Sequence, residues 1–305
     1  MRVVSLLPSA TEIIASLGLA DALVGRSKEC TYPPKVLDRP VVTAARIDPT
    51  DLESIEIDRL VRASIADGRS LYAVDDALID ELRPDLIVTQ DLCAVCAVSS
   101  GELGSACPVG AEIVSLDPST LEEVARSIET LATRLGVPER GRAVAAEMRS
   151  TIEAVRRSTR DLPRPAVFVA EWIDPPFVPG HWLPEMIEAA GGEAVLGEPG
   201  RPSHPTTWAA VSATSPELVV IAPCGFDAEE AARRSTSVGF GQLAPDARIV
   251  AVDGDGYYSR PGPRLAEGVR QLGHLLHPDV VPDPGLPCID LAPRVVEAQR
   301  GCVGP

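Results

Sequence analysis

What most constrains this chain is a long stretch with no strand in it. From Thr120 to Thr159 two helical segments follow one another. Thr120–Leu135 stops at Gly136, and Pro138–Thr159 opens on a proline suited to a first helical turn. On either side, short apolar runs alternate with amphipathic ones, the pattern of βα units that build open parallel sheets. The second helix would span about 33 Å at 1.5 Å per residue, more than a βα crossover needs. Its Val144, Met148, Ile152 and Val155 recur at helical spacing. The pattern predicts an α/β protein of two lobes tied by a rigid helical connector. Residues 1–118 are the N-terminal lobe and 119–162 the connector, with its long linking helix over 138–160. Residues 163–278 are the C-terminal lobe, and 279–305 an extended tail.

In the first lobe, strands are expected over Val3–Leu7, Ala22–Gly25, Leu71–Val74, Asp85–Thr89 and Glu112–Leu116, all in one mostly parallel sheet. Ser9 stands three residues before Glu12, a capping-box spacing for a helix over Ala10–Leu17. Helices are also expected over 51–67 and Asp75–Leu82. In the second lobe, Ala166–Ala170, Leu218–Ala222 and Arg248–Val252 read as strands, and Pro184–Ala190 and Arg264–Leu276 as helices.

Ligands of open α/β sheets bind beyond the carboxyl ends of the strands, so the residues that follow each strand carry the functional reading. Of eleven aromatic residues, Tyr32, Trp172, Phe177, Trp182, Phe226, Tyr257 and Tyr258 fall there. Parallel-sheet cores are filled by Val, Ile and Leu, and aromatic walls with a few polar groups suit a cleft for a large, flat ligand. Phe168, inside a strand, is core. Gln90, Glu171, Asp174, His181, Tyr258 and Arg260 are the polar candidates, Arg260 as a clamp or as a cap of the last helix. Cys30, Cys93, Cys96 and Cys224 also follow strands, and C-x-x-C spacing at 93–96 suits chelation or redox chemistry. A free cysteine is otherwise a small buried hydrophobe, the reading kept for Cys107, Cys288 and Cys302. Thiol–disulfide exchange by Cys93 and Cys96 is disfavoured, since that chemistry wants a helix N-terminus and 94–101 reads as loop or frayed helix.

The formal net charge of −16 argues against nucleic acid and anionic membrane surfaces as partners. Glu12, Gly18 and Asp21 break the first apolar segment, so it is neither an export signal nor a membrane span. Seven cysteines then point to the reducing cytoplasm; a trimmed chain would belong to the periplasm or outside the cell. Gly-rich dinucleotide and P-loop motifs, H-E-x-x-H and G-x-S-x-G are missing, and no serine–histidine–acid or paired-carboxylate set assembles.

Ser5-Leu-Leu-Pro-Ser-Ala-Thr-Glu12, Leu23-Val-Gly25, Pro84-Asp-Leu-Ile-Val88, the long connector and Ala189-Ala-Gly-Gly192 together resemble one family over residues 1–278. It is the helical-backbone substrate-binding proteins that serve ABC importers of cobalamin and iron chelates. The segments C-T-Y-P, Q-D-L-C-A-V-C-A-V, E-W-I-D-P, G-H-W-L-P-E, P-C-G-F and S-R-P-G-P-R are similar to its cobalamin-binding branch. The resemblance implies two Rossmann-like lobes and a metal chelate, a corrinoid such as cobalamin, held between them. Tyr32, Trp172, Trp182, Phe226 and Tyr258 would wall the cleft, Gln90, Glu171, His181 and Arg260 would bond the ligand's amide rim, and Pro8 and Ser9 of the opening motif join them. The chain would be a monomer, with an ABC permease as partner if exported. A reading from another class makes it a cytosolic metalloprotein or enzyme, with Cys30, Cys93, Cys96 and Cys224 binding an iron–sulfur cluster or zinc at the lobe interface.

Overall fold

A computed structural model describes residues 1–91, 98, 101, 110–238, 240 and 247–291. The first lobe runs β1 (Val3–Ser5), α1 (Pro8–Ser16), β2 (Leu23–Arg26), β3 (Thr43–Ala45), α2 (Ser54–Ala66), β4 (Tyr72–Val74), α3 (Asp76–Leu82), β5 (Leu86–Thr89) and β6 (Glu112–Ser115). The connector is α4 (Leu121–Arg134) and α5 (Pro138–Thr159). The second lobe runs β7 (Ala166–Ala170), α6 (Leu183–Ala189), β8 (Glu193–Ala194), α7 (Trp208–Ala213), β9 (Leu218–Ile221), α8 (Ala228–Arg234), β10 (Arg248–Val252), α9 (Gly254–Tyr257), α10 (Leu265–Leu276) and β11 (Cys288–Asp290).

Each lobe is built on a parallel sheet. The first has order β2-β1-β5-β6 and the second β11-β10-β9-β7-β8, with only β11 antiparallel. The central strands β1, β5 and β9 are buried along their whole length, as their predominantly apolar runs require. The first lobe departs from the expected single sheet. Residues 72–74 pair antiparallel with 43–45 in a separate two-stranded ribbon. Every side chain of β4 is half-buried rather than buried, so the segment lacks the apolar density of a central strand. The tail contributes β11 as an edge strand, pairing Cys288 with Val252.

α5 follows Pro138 for 22 residues. It packs on α4 on one side and on α6 and α10 of the second lobe on the other. Gly141 makes the first of these contacts possible: a Cβ there would lie 2.3 Å from the Ala132 Cβ. One continuous apolar cluster therefore crosses the molecule behind the cleft. It takes in Ile13 and Ile14 of α1, Ile128 of α4, Met148 and Ile152 of α5, Ile187 of α6 and Leu272 of α10. Two smaller clusters fill the outer faces, around Phe168, Val219 and Phe240 in the second lobe and Val4, Leu6 and Ile87 in the first. The lobes are thus joined along their helical backs. Their strand ends face each other.

Candidate functional site

The two facing edges meet at two places. On one side, the turn into α10 reaches across to α1. The Arg260 guanidinium donates to the Glu12 carboxylate at 3.1 Å, and Arg264 grips the same carboxylate with Nε at 2.9 Å. Arg260 also donates to Asp255 Oδ1 at 3.0 Å, to the Glu29 carbonyl at 3.2 Å and to Thr31 Oγ1 at 3.1 Å. The Arg264 guanidinium lies 4.0 Å from the centre of the Tyr32 ring and 5.1 Å from that of Tyr257. Glu12 is 3% exposed and Arg260 8%. Burial disfavours the charge on Arg260, but Asp255 and Glu12 more than offset it, and the group stays protonated above its ordinary range.

On the other side, loops of the second lobe reach toward residues 49–54 and α2. Trp172 follows β7 and stacks at a tilt on Phe226, which follows β9, with ring centres 5.7 Å apart. The Trp172 indole N–H donates to the Ser54 carbonyl at 3.2 Å. Arg234, at the end of α8, lies 4.2 Å over the Phe226 ring. It donates to the carbonyls of Leu52 at 2.8 Å and Pro49 at 3.0 Å. Its Nε donates to Glu230 at 2.6 Å, so its charge is paired within its own helix. These residues border a cavity of about 670 Å³ between Pro49–Glu53 of one lobe and Phe226, Glu230, Arg233 and Arg234 of the other. Nearby, Arg62 of α2 sits 5.8 Å from the Phe177 ring. Desolvation raises the Asp174 pKa, and the Asp58 charge adds to it.

The model of the family described as periplasmic binding protein matches residues 3–238. The chain belongs to the periplasmic binding protein family. A vitamin B12-binding protein of Vibrio cholerae is 25% identical over 281 residues, covering 89% of this chain and 87% of that one. An ABC transporter substrate-binding lipoprotein of Bacillus subtilis is 22% identical, with 91% and 80% covered. A periplasmic heme-binding protein from Pseudomonas aeruginosa superposes with a TM-score of 0.68 at 19% identity, over 95% of each chain. The solved vitamin B12-binding protein of Vibrio cholerae gives 0.64 at 23% identity, over 90% of this chain and 96% of that one. These likenesses show the fold: two lobes with a cleft between them.

Within that fold, the residues singled out in the sequence separate into two sets. Tyr32, Glu171, Trp172 and Phe226 are half-buried or exposed on the facing edges, and the Gly180 amide donates to the Glu171 carboxylate. Gln90 is buried at the end of β5. Trp182 and Tyr258 are not walls. The Trp182 indole N–H donates to the Tyr258 carbonyl at 2.8 Å, and the fully buried Tyr258 hydroxyl donates to Gln271 at 2.8 Å. Both belong to the core because each polar tip finds its partner inside. Arg260 is engaged by the lobe-bridging acceptors and does not present its guanidinium to the cleft. Pro8 and Ser9 are buried in the first turn of α1. The expected capping box is absent there: Leu7 is the N-cap, and Glu12 turns to Arg260 and Arg264 instead.

His181 is half-buried with φ of 50°. Its backbone N–H donates to Arg201 and its carbonyl accepts from Gly200. Burial pushes its imidazole below the ordinary range, so it is neutral at pH 7. Of the four cysteines assigned to a metal, Cys93 and Cys96 lie outside the described residues. Cys30 is fully buried, 3.2 Å from Ser27 Oγ, and its thiol donates to the Ser5 carbonyl at 3.7 Å. Burial pushes that thiol up, against the opposing hydrogen bonds from Ser27 and Thr11. Cys224 is half-buried in the turn after β9, its amide bonded to the Glu171 carbonyl at 3.1 Å. Among the described residues no group of three metal-ligating side chains forms.

Glu12, Arg264, Arg234 and the 49–54 segment are the participants that sequence reading missed. Glu12 carried a local explanation as a cap, and Arg234 sits in a helix with no apolar run to draw notice. Only their positions across the interface give them a role.

Proposed function

We propose that this protein captures a corrinoid or a related metal chelate between its lobes and needs no bond-making chemistry to do so. The observation that carries the reading is the aromatic face of Trp172 and Phe226, set beyond the carboxyl ends of β7 and β9 and opposed by a segment of the other lobe. Flat, partly apolar rings with polar rims are what such a face accommodates. Relatives named for vitamin B12 binding, matching nearly the whole chain, support the same ligand class. Trp172 and Phe226 would supply ring contact, with Gln90 and Glu171 near the rim. The cavity of about 670 Å³ bordered by Phe226 supports the same location.

Titration of the purified protein with cyanocobalamin, followed by its visible bands, tests this. We expect a band shift that saturates at one ligand per chain; absence of binding at tens of micromolar would remove the reading. The four-thiol alternative finds no support among the described residues, where no metal-ligating group forms. An ABC permease is the partner if the chain is exported, as the name of the Bacillus subtilis relative supports. The thiol content supports residence in the cytoplasm instead, and cell fractionation with immunoblotting decides between them.

A further inference from the structure

The aromatic face is also tied at its edge to the other lobe. Three donors of the second lobe, the Trp172 indole N–H and both Arg234 terminal nitrogens, all end on backbone carbonyls of one short segment: Ser54, Leu52 and Pro49. Within that segment only Ser54 is buried. Among the described residues it pairs with no strand, and of the helix it leads into only Ser54 and Ile57 are buried. An element with few buried apolar contacts opens at low free energy. By contrast, the Arg234 side chain is 1% exposed, stacked on Phe226 and fixed by Glu230, so the donors are the rigid half of the contact.

We infer that residues 49–54 form a self-competing latch: in the empty protein they are bonded across the edge of the Trp172–Phe226 face that the chelate needs. The inference rests on the proposed chelate binding for its ligand. The latch itself does not depend on it. A ligand must first displace the segment, so its apparent affinity is the intrinsic affinity multiplied by the fraction of molecules already open. Weakening the latch while keeping the face intact therefore tightens binding. A wall residue without a latch role would behave in the opposite way.

Trp172→Phe keeps an aromatic ring at the face and removes the indole donor. Arg234→Met removes the other two donors, and thermal melts of both variants report folding. Hydrogen–deuterium exchange of peptides within 49–66, measured on empty protein, should accelerate in each variant while β5 and β9 peptides stay unchanged. Cyanocobalamin titration of Arg234→Met, which leaves both rings of the face in place, should then show affinity roughly two- to ten-fold tighter than that of the original protein, the range of one net hydrogen bond. Unchanged exchange over 49–66 in both folded variants overturns the latch. Accelerated exchange with weaker cyanocobalamin binding overturns the competition. Accelerated exchange with no binding by any of the three proteins leaves the latch standing and removes the chelate reading.

Discussion

Glu12 is a carboxylate with 3% exposure, shared by guanidinium groups of the other lobe. Breaking a buried ion pair by removing one partner is costly because the other charge is left uncompensated. Glu12→Gln should therefore destabilise the protein by about 3 kcal/mol, read as a lower urea midpoint. Arg260 keeps Asp255, so Arg264 bears most of the loss. His181 makes a second prediction at this scale. Its folded pKa is depressed by burial, so the unfolded chain binds the proton more readily. Its contribution is complete above the unfolded value of about 6.5 and is lost as pH falls through the folded one. His181→Asn, which tolerates the left-handed backbone, should flatten the fall of melting temperature below pH 6.5. An equally steep fall in the variant would assign that pH dependence to other groups.

Among elements, the α4–α5 pair depends on one missing side chain. A Cβ at Gly141 would sit 2.3 Å from the Ala132 Cβ, so Gly141→Ala forces the helices apart. Overpacking of this kind costs about 1–3 kcal/mol, and a melting curve against Gly141→Ala combined with Ala132→Gly checks it, since the pair should recover stability. The same scale shows where sequence reading is strong. α5 was legible to within a residue because Pro138 opens it and its apolar positions recur with the helical period. β3 and the ribbon it forms with β4 were not, because three residues of Thr and Ala carry no periodic signal and gain their pairing only from the fold.

For the whole molecule, the apolar cluster behind the cleft joins the lobes into one core. Calorimetry should record a single transition with equal calorimetric and van't Hoff enthalpies, and Met148→Ala should lower it by about 2–5 kcal/mol without splitting it. Two separate transitions would mean that the lobes fold independently. Sequence by itself determined the class: alternating buried runs and amphipathic runs dictate parallel sheets, and a strandless stretch with one apolar face dictates a helical back. It also placed Trp172 and Phe226 beyond strand ends, where open sheets present a crevice. Those are local or periodic properties, and period is written in residue order. Tertiary structure alone decided that Trp182 and Tyr258 turn inward, that Arg260 serves Glu12 some 248 positions away, and that the carbonyls of residues 49–54 meet Trp172 and Arg234. Partners of that kind are chosen by proximity across two lobes, and no spacing along the chain encodes which buried charge or open carbonyl will be nearest.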